Sequence, residues 1–387
     1  MKKRKLTAML LALCMILMLA LAACGSSSSS DSTDSTSATD TEEAEETEEA
    51  EETEESESAD DSDDTGVTVT STEKFTFTLT CHDPETASQP VYIQEWCDKV
   101  YEVTNGGVTI NCVWSGALAT AADAGDMVKS QGCDIGWLYI GYYSGQYPLS
   151  EVLNLPMQGF GDPIVSTEVL WALTEGDYPE VMGEWEEDYK VLMFYANPGM
   201  MFYSNVELNS MEDLQGLSIR CPAGAITDVL ADWGASPITM ATGDIYQAVE
   251  KNNIQGYIFE PSGVSTFSLQ EVTTYAYDYQ MYDGVFCLAM NWDRWNELPE
   301  DYQEAIDSIS GYEASIGAAE AYAIDVDAGW EEAIAAGVEV RELSDDMIAE
   351  MQEIADVYAE EWAATLEGVD GEAFLETAKS LAAQYGG

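Results

Sequence analysis

From Phe75 to Thr80 every second residue is apolar: Phe75, Phe77 and Leu79 alternate with threonines. A two-residue period marks a strand with one buried face, so the pattern predicts a first strand over Lys74 to Cys81. The stretch Val91 to Val103 reads as a helix, and Asn105-Gly106-Gly107 supplies its C-terminal stop. Further strands are predicted at Val108–Val113, Asp134–Ile140, Tyr189–Tyr195, Leu217–Arg220, Pro237–Met240, Thr273–Tyr279 and Phe286–Asn291, with helices between most of them. Pro299, at a favoured first-turn position, opens a long helix to about Ala335. A strand follows at Val338–Leu343, then a helix capped by Ser344 that reaches about Leu366, then a last helix after Gly371. This alternation implies an α/β fold, a mainly parallel sheet with crossover helices. The pattern runs too long for one compact sheet, and two lobes with a cleft fit it better. There is no internal repeat.

The first 73 residues follow a different pattern. Lys2, Lys3, Arg4 and Lys5 precede an apolar run from Leu6 to Ala20, and the run closes on Leu21-Ala22-Ala23-Cys24-Gly25. A basic region, an apolar region and small residues before a cysteine read as a bacterial lipoprotein signal over residues 1–23. Cys24 is then the lipidation site, carrying palmitate-type chains that anchor the protein on the extracytoplasmic face of the cell membrane. Gly25 to Thr72 is a Ser/Thr/Asp/Glu/Ala tract without an aromatic residue. Such a tract cannot bury a core, so residues 24–73 read as a disordered acidic tether. About 50 residues could span roughly 170 Å at full extension. The folded domain is expected over 74–387.

Charge narrows the function. The chain has 73 acidic residues and 13 Lys and Arg, four of them in the leader, which leaves nine for the rest. A balance this acidic excludes nucleic acid as a partner. It also opposes long-range attraction of anions, so any anionic ligand must be held by local groups. His82 is the single histidine, and no Cys-x-x-Cys pair occurs, so zinc spacing is absent and no metal or cofactor is expected. Export permits disulfides among Cys81, Cys97, Cys112, Cys133, Cys221 and Cys287, and an anaerobic source would leave thiols; the sequence does not choose.

Against that scarcity of cations, Arg220 stands out. It falls in Gly216-Leu217-Ser218-Ile219-Arg220-Cys221-Pro222, inside a predicted strand. A buried guanidinium without an anion costs several kcal/mol. Its partner is either a protein carboxylate or an anionic ligand.

The residues around it carry a resemblance. Asp213 to Pro222, Gly234-Ala235-Ser236-Pro237 with Met240, Asp244 to Val249, and Asn253 to Gly256 follow one another in order. Gly116-Ala117-Leu118, Tyr147-Pro148-Leu149-Ser150-Glu151-Val152, Met290-Asn291 with Trp295 and Leu298-Pro299 extend the pattern over about Phe75 to Tyr385. In this order and spacing the chain resembles the solute-binding subunits of tripartite ATP-independent periplasmic (TRAP) transporters, the dicarboxylate-binding-protein-like family. The resemblance implies a two-lobed periplasmic-binding-protein-like fold with a central cleft, hinge strands and a long connecting helix. Lobe I would hold about 74–197 and 286–325, lobe II about 198–285 and 326–387. It also implies that Arg220 binds a substrate carboxylate, and that the partners are a small organic acid and the integral membrane subunits of the transporter. A monomer is expected.

The departures from the family's pattern shape the expected pocket. A second arginine, common in the family, falls on Met201 in Gly199-Met200-Met201. A ligand-binding asparagine after the "D-G" pair is replaced by Phe259 or Glu260. An acidic or polar position falls on Tyr139, beside Trp137, and an aromatic position falls on Thr242. His82 follows the first strand, where family ligands are often touched, and Tyr142 and Tyr143 follow the third. One cation with apolar lining from Trp137, Tyr139, Met201, Phe202 and Phe259 suits a monocarboxylate with an apolar or aromatic body. Glu260 could instead meet an ammonium. Two other classes remain: a ligand-sensing surface lipoprotein without transport, and an extracellular hydrolase. The hydrolase lacks a Gly-x-Ser-x-Gly motif and a nucleophile–base pair, so the chain is read as no enzyme.

Overall fold

A computed structural model describes residues 66–386. The leader, the lipidation site at Cys24 and most of the tether lie outside the described residues. Among the described residues eleven strands form two sheets. The first holds β1 (Phe75–Thr80), β2 (Val108–Val113), β3 (Ile135–Tyr139), β4 (Tyr189–Ala196) and β10 (Val285–Asn291), in the order β2-β1-β3-β10-β4. The second holds β5 (Met201–Ser204), β6 (Ser218–Cys221), β7 (Ser236–Thr239), β8 (Gly256–Phe259), β9 (Tyr275–Tyr277) and β11 (Glu339–Arg341), in the order β11-β9-β5-β8-β6-β7. Each sheet is the centre of one lobe of a two-lobed α/β fold.

The sheets are mixed, where the sequence predicts mainly parallel pairing. β10 runs antiparallel to both β3 and β4, and β5 runs antiparallel to both β8 and β9. These two strands sit where the chain changes sheet, after β4 and after β9. A strand that enters a new sheet from its neighbour rather than through a crossover helix arrives in the opposite sense. The two crossing segments, 197–200 and 278–284, lie side by side. Asn197 donates its backbone N–H to the Gly284 carbonyl at 3.0 Å, Met200 donates to Tyr282 at 2.8 Å, and Met281 donates to Met200 at 2.9 Å. These three bonds tie together the two segments through which the lobes connect.

The predicted helix from Pro299 is two helices, Glu300–Asp307 and Gly311–Ala336. Two serines explain the break. Ser308 Oγ donates to the Ala305 carbonyl and Ser310 Oγ to that of Ile306, each at 2.7 Å, satisfying acceptors of the last turn locally. Gly311 then takes φ +72°, open to glycine at little cost. The 26-residue helix packs on β4 and on helices Ser88–Val103 and Pro163–Glu175 near its start, and on Pro261–Thr266 of the second lobe further on. Ser344 caps Asp345–Thr365 by accepting from the Met347 N–H at 3.2 Å.

Packed chain begins before residue 74. The Asp301 carboxylate accepts from the backbone N–H groups of Thr70 and Ser71 at 2.7 and 2.8 Å and from both hydroxyls. Tyr302 donates its hydroxyl to the Ser71 and Glu73 carbonyls. These bonds fasten a strap against the helix Glu300–Asp307. They hold the Asp301 carboxyl well below its usual range. Among the described residues all six cysteines are thiols, and the Cys97 and Cys112 sulfurs lie 3.7 Å apart. No described helix is long and apolar enough to cross a membrane.

Candidate ligand-binding site

Arg220 sits at the C-terminal end of β6, paired on one side with β7 and on the other with β8. Clefts outside the carboxyl ends of strands are the usual ligand positions in open α/β sheets. The side chain is 2% exposed. Nε and Nη2 donate to the Met240 carbonyl at 3.3 and 3.2 Å, and Nη1 donates to the Ile258 carbonyl at 3.2 Å. Both carbonyls end neighbouring strands, so the sheet itself aims the guanidinium. The cation also lies 5.5 Å from the centre of the Phe259 ring. Among the described residues Arg220 forms no ion pair with a carboxylate. Its backbone bonds use three N–H donors of the five a guanidinium carries.

The opposite wall comes from the first lobe. His82, Trp137 and Phe286 stack with ring centres 4.6 and 4.3 Å apart, and Tyr139 lies 4.8 Å from Phe286. Trp137 is fixed from below: its indole N–H donates to the Tyr195 hydroxyl at 2.7 Å, which donates to Gln89 at 2.7 Å, which donates to the Ala318 carbonyl. Tyr139 fits because residue 284 is glycine; a Cβ there would stand 2.2 Å from the Tyr139 ring. Together the walls line one pocket with about 380 Å³ of space outside protein atoms, part of it open to solvent. An outer, more open chamber shares His82, Tyr142 and Thr242 with it and leads towards solvent. At this junction the Tyr142 and Thr242 hydroxyls meet at 3.3 Å, one from each lobe.

Electrostatics is unusual for so acidic a chain. Glu260 follows β8 and lies 8% exposed; burial pushes its carboxyl up to about 8, against the pull of Arg220. Burial raises Asp83 to about 7 and lowers His82 to about 4, so the imidazole is neutral at pH 7. Two buried polar atoms on the chamber wall, Tyr139 Oη and His82 Nδ1, have no hydrogen-bond partner among the described residues.

The structure brings Arg220, Trp137, Tyr139, Phe259, Glu260, His82 and Thr242 to one chamber. Met201 does not reach it. It packs on the far side of β5 with Tyr203, Tyr257 and Val264, and its neighbour Met200 lines the chamber instead. Phe202 likewise points into the core against Trp233. Tyr142 lines the chamber, whereas Tyr143 is buried and donates to the Ala121 carbonyl. Sequence reasoning missed Asp83, Asn197, Phe286 and Tyr322. Phe286 was within reach, because β10 pairs it with Tyr139.

Two α/β lobes with a pocket between them, joined by a pair of crossing segments, are the build of a solute-binding protein. The family described as bacterial extracellular solute-binding protein, family 7 (DctP) matches residues 82–365, and the chain belongs to it. The chain is 24% identical over 311 residues to "Outer membrane transporter protein TsaT" of Comamonas testosteroni, covering 78% of this chain and 89% of that one. Among solved structures, a marine metagenome TRAP solute-binding protein specific for aromatic acid ligands, in complex with metahydroxyphenylacetate, superposes with a TM-score of 0.75 at 23% identity, covering 81% of this chain and 99% of the other. A TRAP solute-binding protein of Rhodoferax ferrireducens with copurified benzoate gives 0.74 at 24% identity with the same coverage. The expected family and two-lobed fold are thereby borne out.

Proposed function

We propose that this chain captures a monocarboxylate with an aromatic or otherwise apolar body and hands it to the integral membrane subunits of a TRAP transporter. The observation that carries this reading is Arg220: a buried guanidinium, aimed by two backbone carbonyls, unpaired with any carboxylate among the described residues, and facing an aromatic wall. A carboxylate seated there would take the remaining N–H donors in a charge-assisted fork. Its apolar body would lie against Trp137, Tyr139 and Phe286. Micromolar capture needs about −8 kcal/mol, which one desolvated Arg–carboxylate pair and a buried ring can supply. Aromatic acids bound by structural relatives support the same class. Arg220, Trp137, Tyr139, Thr242, Phe259, Glu260 and His82 are the proposed ligand contacts, with Met200 in place of Met201. The role is binding without turnover. Lobe I is taken as about 74–197 and 286–325, lobe II as about 198–285 and 326–387, acting as a monomer. Lipidation at Cys24 and an acidic tether would hold the domain outside the cytoplasmic membrane.

Native mass spectrometry of protein purified from cells, followed by a thermal-shift panel of benzoate, phenylacetate, mandelate and succinate, tests the reading. An aromatic monocarboxylate should raise the Tm most. Preference for succinate, or indifference to every acid, would remove it.

A further inference from the structure

Glu260 and Asp83 have no place in a site built only for an anion. Both line the chamber that holds Arg220, and both also line a small adjoining pocket with Gln89, Ser262, Tyr322 and Asp325. Neither is ion-paired with a lysine or arginine among the described residues; the neutral His82 stands with its Nε2 3.9 Å from Asp83. Ser262 Oγ, in a residue 4% exposed on the wall of the adjoining pocket, has no hydrogen-bond partner among the described residues. Polar groups without a cation therefore gather at one side of the site, where burial withholds water from Glu260 and Ser262.

The spacing suits one small molecule. Arg220 Nη1 binds the Ile258 carbonyl, Phe259 lies under the guanidinium, and Glu260 is the next residue along. The guanidinium at the end of β6 and the carboxyl that follows its neighbour β8 thus stand at adjacent strand ends of one sheet. A bare carboxylate would answer the guanidinium and leave both carboxyls without a cation. A zwitterion would answer both, its ammonium favouring the ionised form of the carboxyls. We propose that the ligand is an amino-carboxylate: its carboxylate lies on Arg220, its ammonium is held by Glu260 and Asp83, and its apolar body lies against the aromatic wall. This rests on the reading of Arg220 as the carboxylate anchor. The upward displacement of both carboxyls by burial fits a pair that gains most when a cation arrives.

Calorimetry on the full chain with matched pairs tests the proposal: phenylalanine against 3-phenylpropanoate, phenylglycine against phenylacetate, and leucine against 4-methylpentanoate. Each pair differs only in the ammonium. The amino acid should bind at least about 10-fold tighter than its partner in the best pair. Glu260→Gln should bring that ratio close to one, and Asp83→Asn should reduce it. Plain acids that bind as tightly as the amino acids, with binding lost in Arg220→Ala, would overturn the ammonium site and leave the carboxylate site standing. A ratio unchanged in both carboxyl variants would overturn it too. Failure of every acid in both series would overturn the carboxylate site and this proposal with it.

Discussion

Tyr142 of the first lobe and Thr242 of the second touch through their hydroxyls at 3.3 Å, and this contact lies between the ligand chamber and the outer chamber. It is a latch made of one hydrogen bond. A bond of this kind is worth about 0.5–1.5 kcal/mol. Tyr142→Phe should therefore speed ligand release roughly 2- to 10-fold. Stopped-flow fluorescence of the Trp137 stack would read this, and association should be little changed. An unaltered release rate would mean the lobes are held elsewhere.

Arg220→Ala should abolish the ligand-dependent rise in Tm. It should also lower the stability of the ligand-free protein, because the Met240 and Ile258 carbonyls lose their donor. Leaving a buried acceptor unsatisfied costs about 1–3 kcal/mol. Arg220→Lys should fail to restore binding, since an ammonium has no fork to share between two strand ends and a ligand. Equal thermal shifts in wild type and Arg220→Ala would place the carboxylate elsewhere.

Acid should stabilise the ligand-free protein. In the folded chain Glu260 and Asp83 keep their protons up to about 8 and about 7. Unfolded carboxyls release theirs near about pH 4. Folding thus takes up protons between these values, and the stability these groups contribute is full below about pH 4 and lost as pH rises through 7 to 8. The Tm should fall between about pH 5 and about pH 9. Glu260→Gln has no such proton to lose and should flatten the slope. A Tm that climbs over this interval would contradict the assignment.

Gly329 lets the long helix approach the short helix Pro261–Thr266. A Cβ at residue 329 would stand 2.5 Å from the Pro261 carbonyl oxygen, and backbone cannot yield as a side chain can. Gly329→Ala should cost about 1–3 kcal/mol in denaturant unfolding. Because Glu260 precedes that short helix, ligand affinity should drop as well. Unchanged stability and affinity would show that the helices separate freely.

Asp301→Ala should release the strap. Limited proteolysis should then cut between residues 66 and 74 sooner, while ligand affinity stays as in wild type. Protection equal to wild type would mean that Tyr302 alone secures the segment.

What could be read from the sequence follows the strength of local signals. β1 and β2 were legible because Phe77, Leu79 and Val108 face a core while their neighbours are polar. β5 and β8 were not, because all four residues of each are buried and no alternation remains. The same loss of contrast hid which of Met200 and Met201 faces the ligand: side chains alternate along the chain, and a shift of one residue reverses the answer. Arg220 was legible as a cation in an apolar strand of a cation-poor chain. Asp83 and Tyr322 were not, since they reach the chamber from parts of the chain some 240 residues apart. The helix break at 308–310 was written in Ser308, Ser310 and Gly311, but helical periodicity on both sides masked it.

The strap at Thr70 and Ser71 also decides how a pull on the N-terminal end would travel. Its bonds run to Asp301 and Tyr302, on a helix packed against the first sheet through Tyr302 and Phe75. Tension applied there is grounded in one half of the molecule. The other half stays unloaded, free to swing while its companion is moored.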